Sequence, residues 1–265
     1  MDPAPGIDQP GPWVGHYTTA AIAFQHIIPT GKLRMSPYRA MRDPVENKLL
    51  IPGTAGFGSA DELERGWAAA VGLLKDRWER VRIMSLTHDV TSYAGTTLRF
   101  GCCWARSRMW EQYADDHRGV CLVFERQQFE QKLDTDLAEH VASSEVEYTP
   151  GGIALSEANL LLDPAILRDD KREQAVLDHL EKHQKELFFL KTDDWRSEHE
   201  FRAVLSDVSD DYAFASYGDA LRAVVIGEEF PEWQVAGAQA LAEQHGLELK
   251  RARWDQARPW LVTAT

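Results

Sequence analysis

Glu198 and Glu200 stand two residues apart, and Arg202 follows two residues later. Alternate residues of a strand share a face. A strand over 198–205 therefore sets Glu198, Glu200 and Arg202 on one side and Phe201, Ala203 and Leu205 on the other. Two neighbouring carboxylates repel unless something holds them. Arg202 can neutralise one, which frees the other to act as a base or to hold a sugar hydroxyl. From these residues alone an ordinary ion pair on a solvent-facing strand is the favoured reading.

Four other places carry usable chemistry. His16, in His16-Tyr17-Thr18, is a donor and acceptor near neutral pH, although a lone His before an aromatic is more often a packing or capping residue. Ser85 and Thr87 share one strand face and offer two hydroxyls to a ligand; equally, they can satisfy backbone groups at a strand end. His88 has no acidic or histidine partner at a metal-ligand spacing, so no metal is expected. Trp110 and Tyr113 sit three apart on a short helix. They can wall a planar ring, though such a pair is more often core.

The elements that must position these residues follow from periodicity and breakers. Residues 20–28 read as a helix closed by Thr30-Gly31, and Leu33 and Met35 alternate as in a strand. Residues 37–58 read mostly as loop. Ser59 and Glu62 form a capping-box pattern for a helix to about Arg80. A strand is expected over 81–87, a short helix over 107–114, and an apolar, central strand over 119–124. Residues 127–137 are amphipathic, 146–148 extended, and 164–190 read as one long helix. Strands over 198–205, 212–216 and 221–226 precede a helix over 231–245 and a last strand over 247–254. The strands do not alternate regularly with helices. The expectation is an α+β protein: a flexible lead-in over 1–13, then a single domain over 14–265.

Composition sets the outer limits. The 265 residues carry 29 Lys/Arg and 42 Asp/Glu, a net charge of −13, with 44% hydrophobic and 27% charged residues. Those are globular proportions. The acidity is uneven: residues 1–132 balance at +1 and residues 133–265 at −14. The first half can thus face an anionic ligand that the second would repel. No basic run suits a long duplex, no stretch approaches a membrane span, and no signal-peptide pattern opens the chain. Cys102, Cys103 and Cys121 form no spaced pairs, which fits reduced thiols in a cytoplasm. Neither a dinucleotide Gly fingerprint nor a P-loop is present.

The ordered segments carry a resemblance. They are His16-Tyr17-Thr18, Arg42-Asp43-Pro44-Val45-Glu46, Ser85-Leu86-Thr87, Met109-Trp110-Glu111-Gln112-Tyr113-Ala114, Arg118-Gly119-Val120, Phe189-Leu190-Lys191, Trp195, Glu198-His199-Glu200-Phe201-Arg202 and Ile226-Gly227. Together they resemble the bacterial domain-of-unknown-function family 2971, from about His16 to Gly227. Arg42 stands where that family usually shows an asparagine before Asp-Pro.

A weaker resemblance is to the ADP-ribosyltransferase superfamily. It implies a mixed, mainly antiparallel split sheet flanked by helices, and NAD as substrate. His16, Tyr17 and Thr18 would contact NAD; Ser85 and Thr87 would line its nicotinamide pocket, with Trp110, Tyr113 and Arg202 also at the cofactor. Glu200 would be catalytic and Glu198 would orient the acceptor, with the two roles open to exchange. The resemblance further implies a protein or nucleic-acid acceptor and a toxin or phage-defence setting with an antitoxin or immunity partner. An NAD glycohydrolase, or a non-catalytic binding or sensor domain of the same fold, is the alternative. The enzyme reading requires a cleft flanked by His16, Ser85 and Glu200. The binding-domain reading requires a closed ion-pair set with no pocket beside it.

Overall fold

The computed structural model describes residues 6–48, 51, 53–54, 59–90, 92, 99–137, 140–155, 161–162 and 168–264. In chain order the strands are β1 (Trp13–Thr18), β2 (Lys32–Pro37), β3 (Gly53–Thr54), β4 (Arg82–His88), β5 (Val120–Glu125), β6 (Val141–Glu145), β7 (Glu147–Thr149), β8 (Leu161–Leu162), β9 (Leu190–Thr192), β10 (Glu200–Leu205), β11 (Ala213–Ser216), β12 (Leu221–Ile226), β13 (Glu248–Asp255) and β14 (Arg258–Thr263). The helices are α1 (Ala20–Ile22), α2 (Ile28–Thr30), α3 (Ala60–Glu79), α4 (Ser107–Tyr113), α5 (Arg126–Leu137), α6 (Arg172–Lys182), α7 (Gln184–Phe188) and α8 (Glu232–Gln244). A π-helical turn, Ala23–Ile27, joins α1 to α2.

Ten strands form one sheet in the order β11-β2-β4-β1-β5-β12-β13-β14, with β10 added to β4 and β6 to β10. Among the described residues, β12 and β13 are the one parallel pair within it. The chain is α+β, with a mixed, mostly antiparallel sheet. β5 is central and apolar because it is covered on both faces. Val120, Leu122 and Phe124 join the core beneath α5, α8 and the 20–30 segment, while Cys121 and Val123 face the cluster of Trp104 and Trp110. Burying a Leu, Val or Phe of this kind contributes about 1.5–3 kcal/mol, so a charge at Val123 would break that layer. The three cysteines are free and buried.

The sheet has a break along β4. One edge of β4 is fully paired with β10, from Arg82↔Leu205 to Thr87↔Glu200. The other edge is shared. β2 pairs only with its start, at Arg82 and Ile83, and β1 only with its end, at Thr87 and His88. Met84, Ser85 and Leu86 lie between the two, where the ladder opens.

Several expectations meet corrections. The helix expected over 164–190 is, among the described residues, two helices, α6 and α7, parted at His183, and Leu190 begins β9. The strand expected from residue 198 begins at Glu200. Glu198 ends a 3-10 turn, Asp193–Glu198, and His199 follows in the left-handed region at φ 43°. The three residues expected to face solvent are buried: Glu198, Glu200 and Arg202 are 4%, 2% and 0% exposed. The chain does not end its sheet near Trp254, because β14 folds back on β13. By contrast the capping box forms: Ser59 accepts from the Glu62 N–H while the Glu62 carboxylate accepts from the Ser59 N–H. The end of the expected lead-in is tied down, since Ile7 O accepts from Trp104 Nε1 at 2.7 Å. Among the described residues no helix is long and apolar enough to cross a membrane.

Candidate functional site

A cavity of about 340 Å³ lies where the β4 ladder opens. β1 contributes Gly15, His16 and Tyr17, and β4 contributes Ile83 to Thr87. β2 adds Arg34 and Ser36, and the following segment adds Met41, Arg42 and Asp43. Tyr113 of α4 and Trp195 add aromatic surface, and Lys191, Glu198 and Glu200 add charge beside that of Arg34, Arg42 and Asp43.

Beneath that lining is a buried cluster of three carboxylates and two cations. Lys191 Nζ lies 2.9 Å from Glu198 Oε2, 2.8 Å from Glu200 Oε2 and 3.4 Å from Glu46 Oε2. Arg202 donates from Nε to Glu200 Oε1 at 2.7 Å and from Nη2 to Glu200 Oε2 at 2.9 Å. Its Nη1 donates to Glu46 Oε1 at 2.7 Å and to Phe188 O at 2.6 Å. The Tyr113 hydroxyl donates to Glu198 Oε1 at 2.8 Å. Taking five charges out of water costs several kcal/mol per ion, and only close, hydrogen-bonded pairing offsets it. One carboxylate is in excess.

The two best-buried carboxylates respond in opposite directions. Burial pushes the Glu200 carboxyl up, but Arg202 and Lys191 outweigh it and hold it well below the usual range. At Glu46 burial prevails over the same two cations and the carboxyl is raised. The geometry explains the difference. Glu200 has a two-pronged Arg202 bond as well as Lys191, whereas Glu46 Oε2 has only the 3.4 Å approach of Lys191 and, among the described residues, no hydrogen-bond partner. Glu200 therefore stays ionised at neutral pH.

His16 Nδ1 is 3.3 Å from Ser85 O. A carbonyl only accepts, so Nδ1 carries the hydrogen and Nε2 is left as an acceptor. Burial lowers the His16 pKa, the Ser85 carbonyl opposes that, and nearby Arg34 lowers it further. The ring is neutral at pH 7. Thr87 is fully buried and Asp43 is 3% exposed, and among the described residues Thr87 Oγ1 and Asp43 Oδ2 have no hydrogen-bond partner. Both residues line the cavity, so a ligand with hydroxyl or amide donors would satisfy atoms that are otherwise costly to bury.

The structure thus brings His16, Tyr17, Ser85, Thr87, Tyr113, Glu198 and Glu200 around one space. Tyr17 has its hydroxyl engaged with Cys103 O at 2.6 Å. Thr18, Trp110 and Arg202 do not line the cavity. Thr18 is buried at the end of β1, Arg202 lies wholly under the carboxylates, and Trp110 packs edge-on against Tyr17 at 5.1 Å with its Nε1 bonded to Trp104 O. His88 also stays outside; its Nδ1 donates to Asp89 O at 2.8 Å. Among the described residues no group of three or more His, Cys, Asp or Glu could hold a metal ion.

Lys191 and Glu46 were not singled out by residue type. A lysine in an apolar run and a glutamate in a proline-containing loop read as surface residues. Their only signal was membership of the Phe189-Leu190-Lys191 and Arg42–Glu46 segments. The comparison with curated proteins found no match, and neither did the comparison with solved structures. Residues 109–203, which carry Tyr113, Lys191, Glu198, Glu200 and Arg202, match the family described as "Protein of unknown function (DUF2971)", the family that the sequence segments resemble.

Proposed function

We propose that the protein consumes NAD, breaking the nicotinamide–ribose bond and passing ADP-ribose to an acceptor, on an ADP-ribosyltransferase-like fold. One observation carries this reading. Residues far apart in sequence, His16 on β1, Ser85 and Thr87 on β4 and Glu200 on β10, line a single cavity with a buried carboxylate cluster at its base.

In the proposed reaction the bond from ribose C1′ to the pyridinium nitrogen breaks, and both electrons leave with nicotinamide. Positive charge then develops on the ribose. Glu200, ionised and held by two cations before the reaction begins, stabilises that charge without reorganising. His16 Nε2 accepts from a ribose hydroxyl. The acceptor oxygen or nitrogen attacks C1′, and its proton passes to Glu198, the carboxylate free of Arg202. Water in place of the acceptor gives an NAD glycohydrolase.

Incubation with NAD and measurement of free nicotinamide tests the proposal. Release by the parent, and its loss in Glu198→Gln and Glu200→Gln variants that retain the parent's circular dichroism, is the expected result. No release with water, protein or nucleic acid as acceptor overturns it. One feature favours a second reading, a non-catalytic binding domain: both Glu200 oxygens are already bonded to Arg202 and Lys191. That reading predicts saturable NAD binding without cleavage.

A further inference from the structure

Three cations line the cavity, Arg34, Arg42 and Lys191. Lys191 is committed to carboxylates. The two arginines are not, and among the described residues neither forms an ion pair. Each rests instead on a tyrosine face. The Arg34 guanidinium carbon lies 4.7 Å from the Tyr212 ring centroid, and that of Arg42 lies 4.7 Å from the Tyr113 centroid. Arg42 donates one N–H to Gln112 O at 3.0 Å.

An aromatic seat contacts the flat face of a guanidinium and leaves the N–H groups at its edge available. A carboxylate partner would have consumed those groups. In a chain of net charge −13, two exposed arginines that line one cavity without an acidic partner are an unspent positive charge. Arg34 stands close enough to His16 to lower its pKa, while Arg42 sits on the tyrosine that bonds Glu198.

We infer that Arg34 and Arg42 form a diphosphate clamp, so that the cavity selects ligands bearing a pyrophosphate. This rests on the NAD reading and names the part of the ligand that the arginines hold. Each guanidinium edge matches two oxygens of one phosphate. The carboxylate cluster would repel the same group, so the ligand lies with its anionic centre at the arginines and its sugar at Glu200.

Isothermal titration with ADP-ribose tests the clamp, because this probe keeps the pyrophosphate and lacks the bond to be cleaved. The parent is expected to bind ADP-ribose and not adenosine. Arg34→Gln and Arg42→Gln should each weaken binding about tenfold or more, and the double variant should abolish it. Arg39→Gln, an exposed arginine outside the cavity, should leave it unchanged. Failure of the parent to bind, equal binding of adenosine, or unaltered binding by the double variant overturns the inference. ADP-ribose binding without nicotinamide release refutes the cleavage reading and leaves the clamp standing. Release without ADP-ribose binding does the reverse.

Discussion

Replacing Glu200 by glutamine separates a clamped carboxylate from an ordinary surface one. Glu200 accepts three bonds, from Arg202 Nε at 2.7 Å, Arg202 Nη2 at 2.9 Å and Lys191 Nζ at 2.8 Å. Bonds to charged groups contribute about 1.5–3 kcal/mol each, roughly twice the neutral kind. Glutamine keeps one acceptor oxygen and turns the other into a donor facing a cation. At most two of the three bonds survive, and in weakened form. The change also removes the surplus negative charge, leaving two carboxylates against two cations, which offsets part of the loss. A net cost of about 3 kcal/mol follows, at the low end of the range for breaking a buried pair. Urea unfolding at pH 7 reads it directly: with a slope near 2 kcal/mol per molar, the midpoint should fall by about 1.5 M. The pH dependence has a definite sign. The folded-state pKa of Glu200 is depressed, so its stabilisation is present above the unfolded value of about 4.3 and fades as pH falls below it. A midpoint shift under about 0.3 M at pH 7, or a gap that widens on acidification, refutes the clamped-carboxylate argument.

Glu198→Gln should fold nearly as well as the parent, within about 1 kcal/mol, because its oxygen can face Lys191 and its amide can donate to the Tyr113 hydroxyl. Acceptor-dependent nicotinamide release should still fall about a hundredfold, as for loss of a general base. Gly227→Ala should unfold readily or fail to accumulate, since an added Cβ would stand 1.9 Å from His117 O; a cost below about 2 kcal/mol in urea unfolding would contradict the packing. Asp89 accepts from the N–H groups of Gly11 at 2.8 Å and Cys103 at 2.5 Å, and burial pushes its carboxyl up to about 7. A raised folded value favours the folded state below the unfolded value of about 3.9 and loses that advantage as pH climbs to about 7. The stability profile of Asp89→Asn should be flatter over that window.

Local signals gave reliable results where they were strong and self-contained. Ser59 and Glu62 satisfy each other within one turn, and the apolar run at β5 needs only to be covered on both sides. Distant partners defeated the same reasoning. Glu46 meets Arg202 across 156 positions of sequence, so nothing near Glu46 marks it as buried. Strand periodicity set Glu198 beside Glu200, and both do line the cavity, but the left-handed His199 delivers Glu198 there from a turn. The β13–β14 hairpin carries no ordinary turn signal, because its turn uses Gln256 and Ala257 at φ 48° and 62°, without the glycine or asparagine that usually announces one. The break at His183 was hidden by a Leu-, Glu- and Lys-rich composition that favours helix on both sides of it.

The open stretch of β4 at Met84, Ser85 and Leu86 bears on how a ligand enters. Three walls of the cavity, β1, β2 and β4, are strands of one hydrogen-bonded sheet rather than lobes that swing together. The pocket is a dislocation in a lattice: its width is set by where two ladders end, and widening it means undoing backbone bonds elsewhere in the sheet. On the proposed ligand-binding reading, selectivity would be tuned by side-chain exchange at Arg34, Arg42 and Ser85, with the strands as a preset mould. Free and occupied forms should superimpose closely along these strands, and the ordering that many pockets undergo on filling has here already taken place during folding.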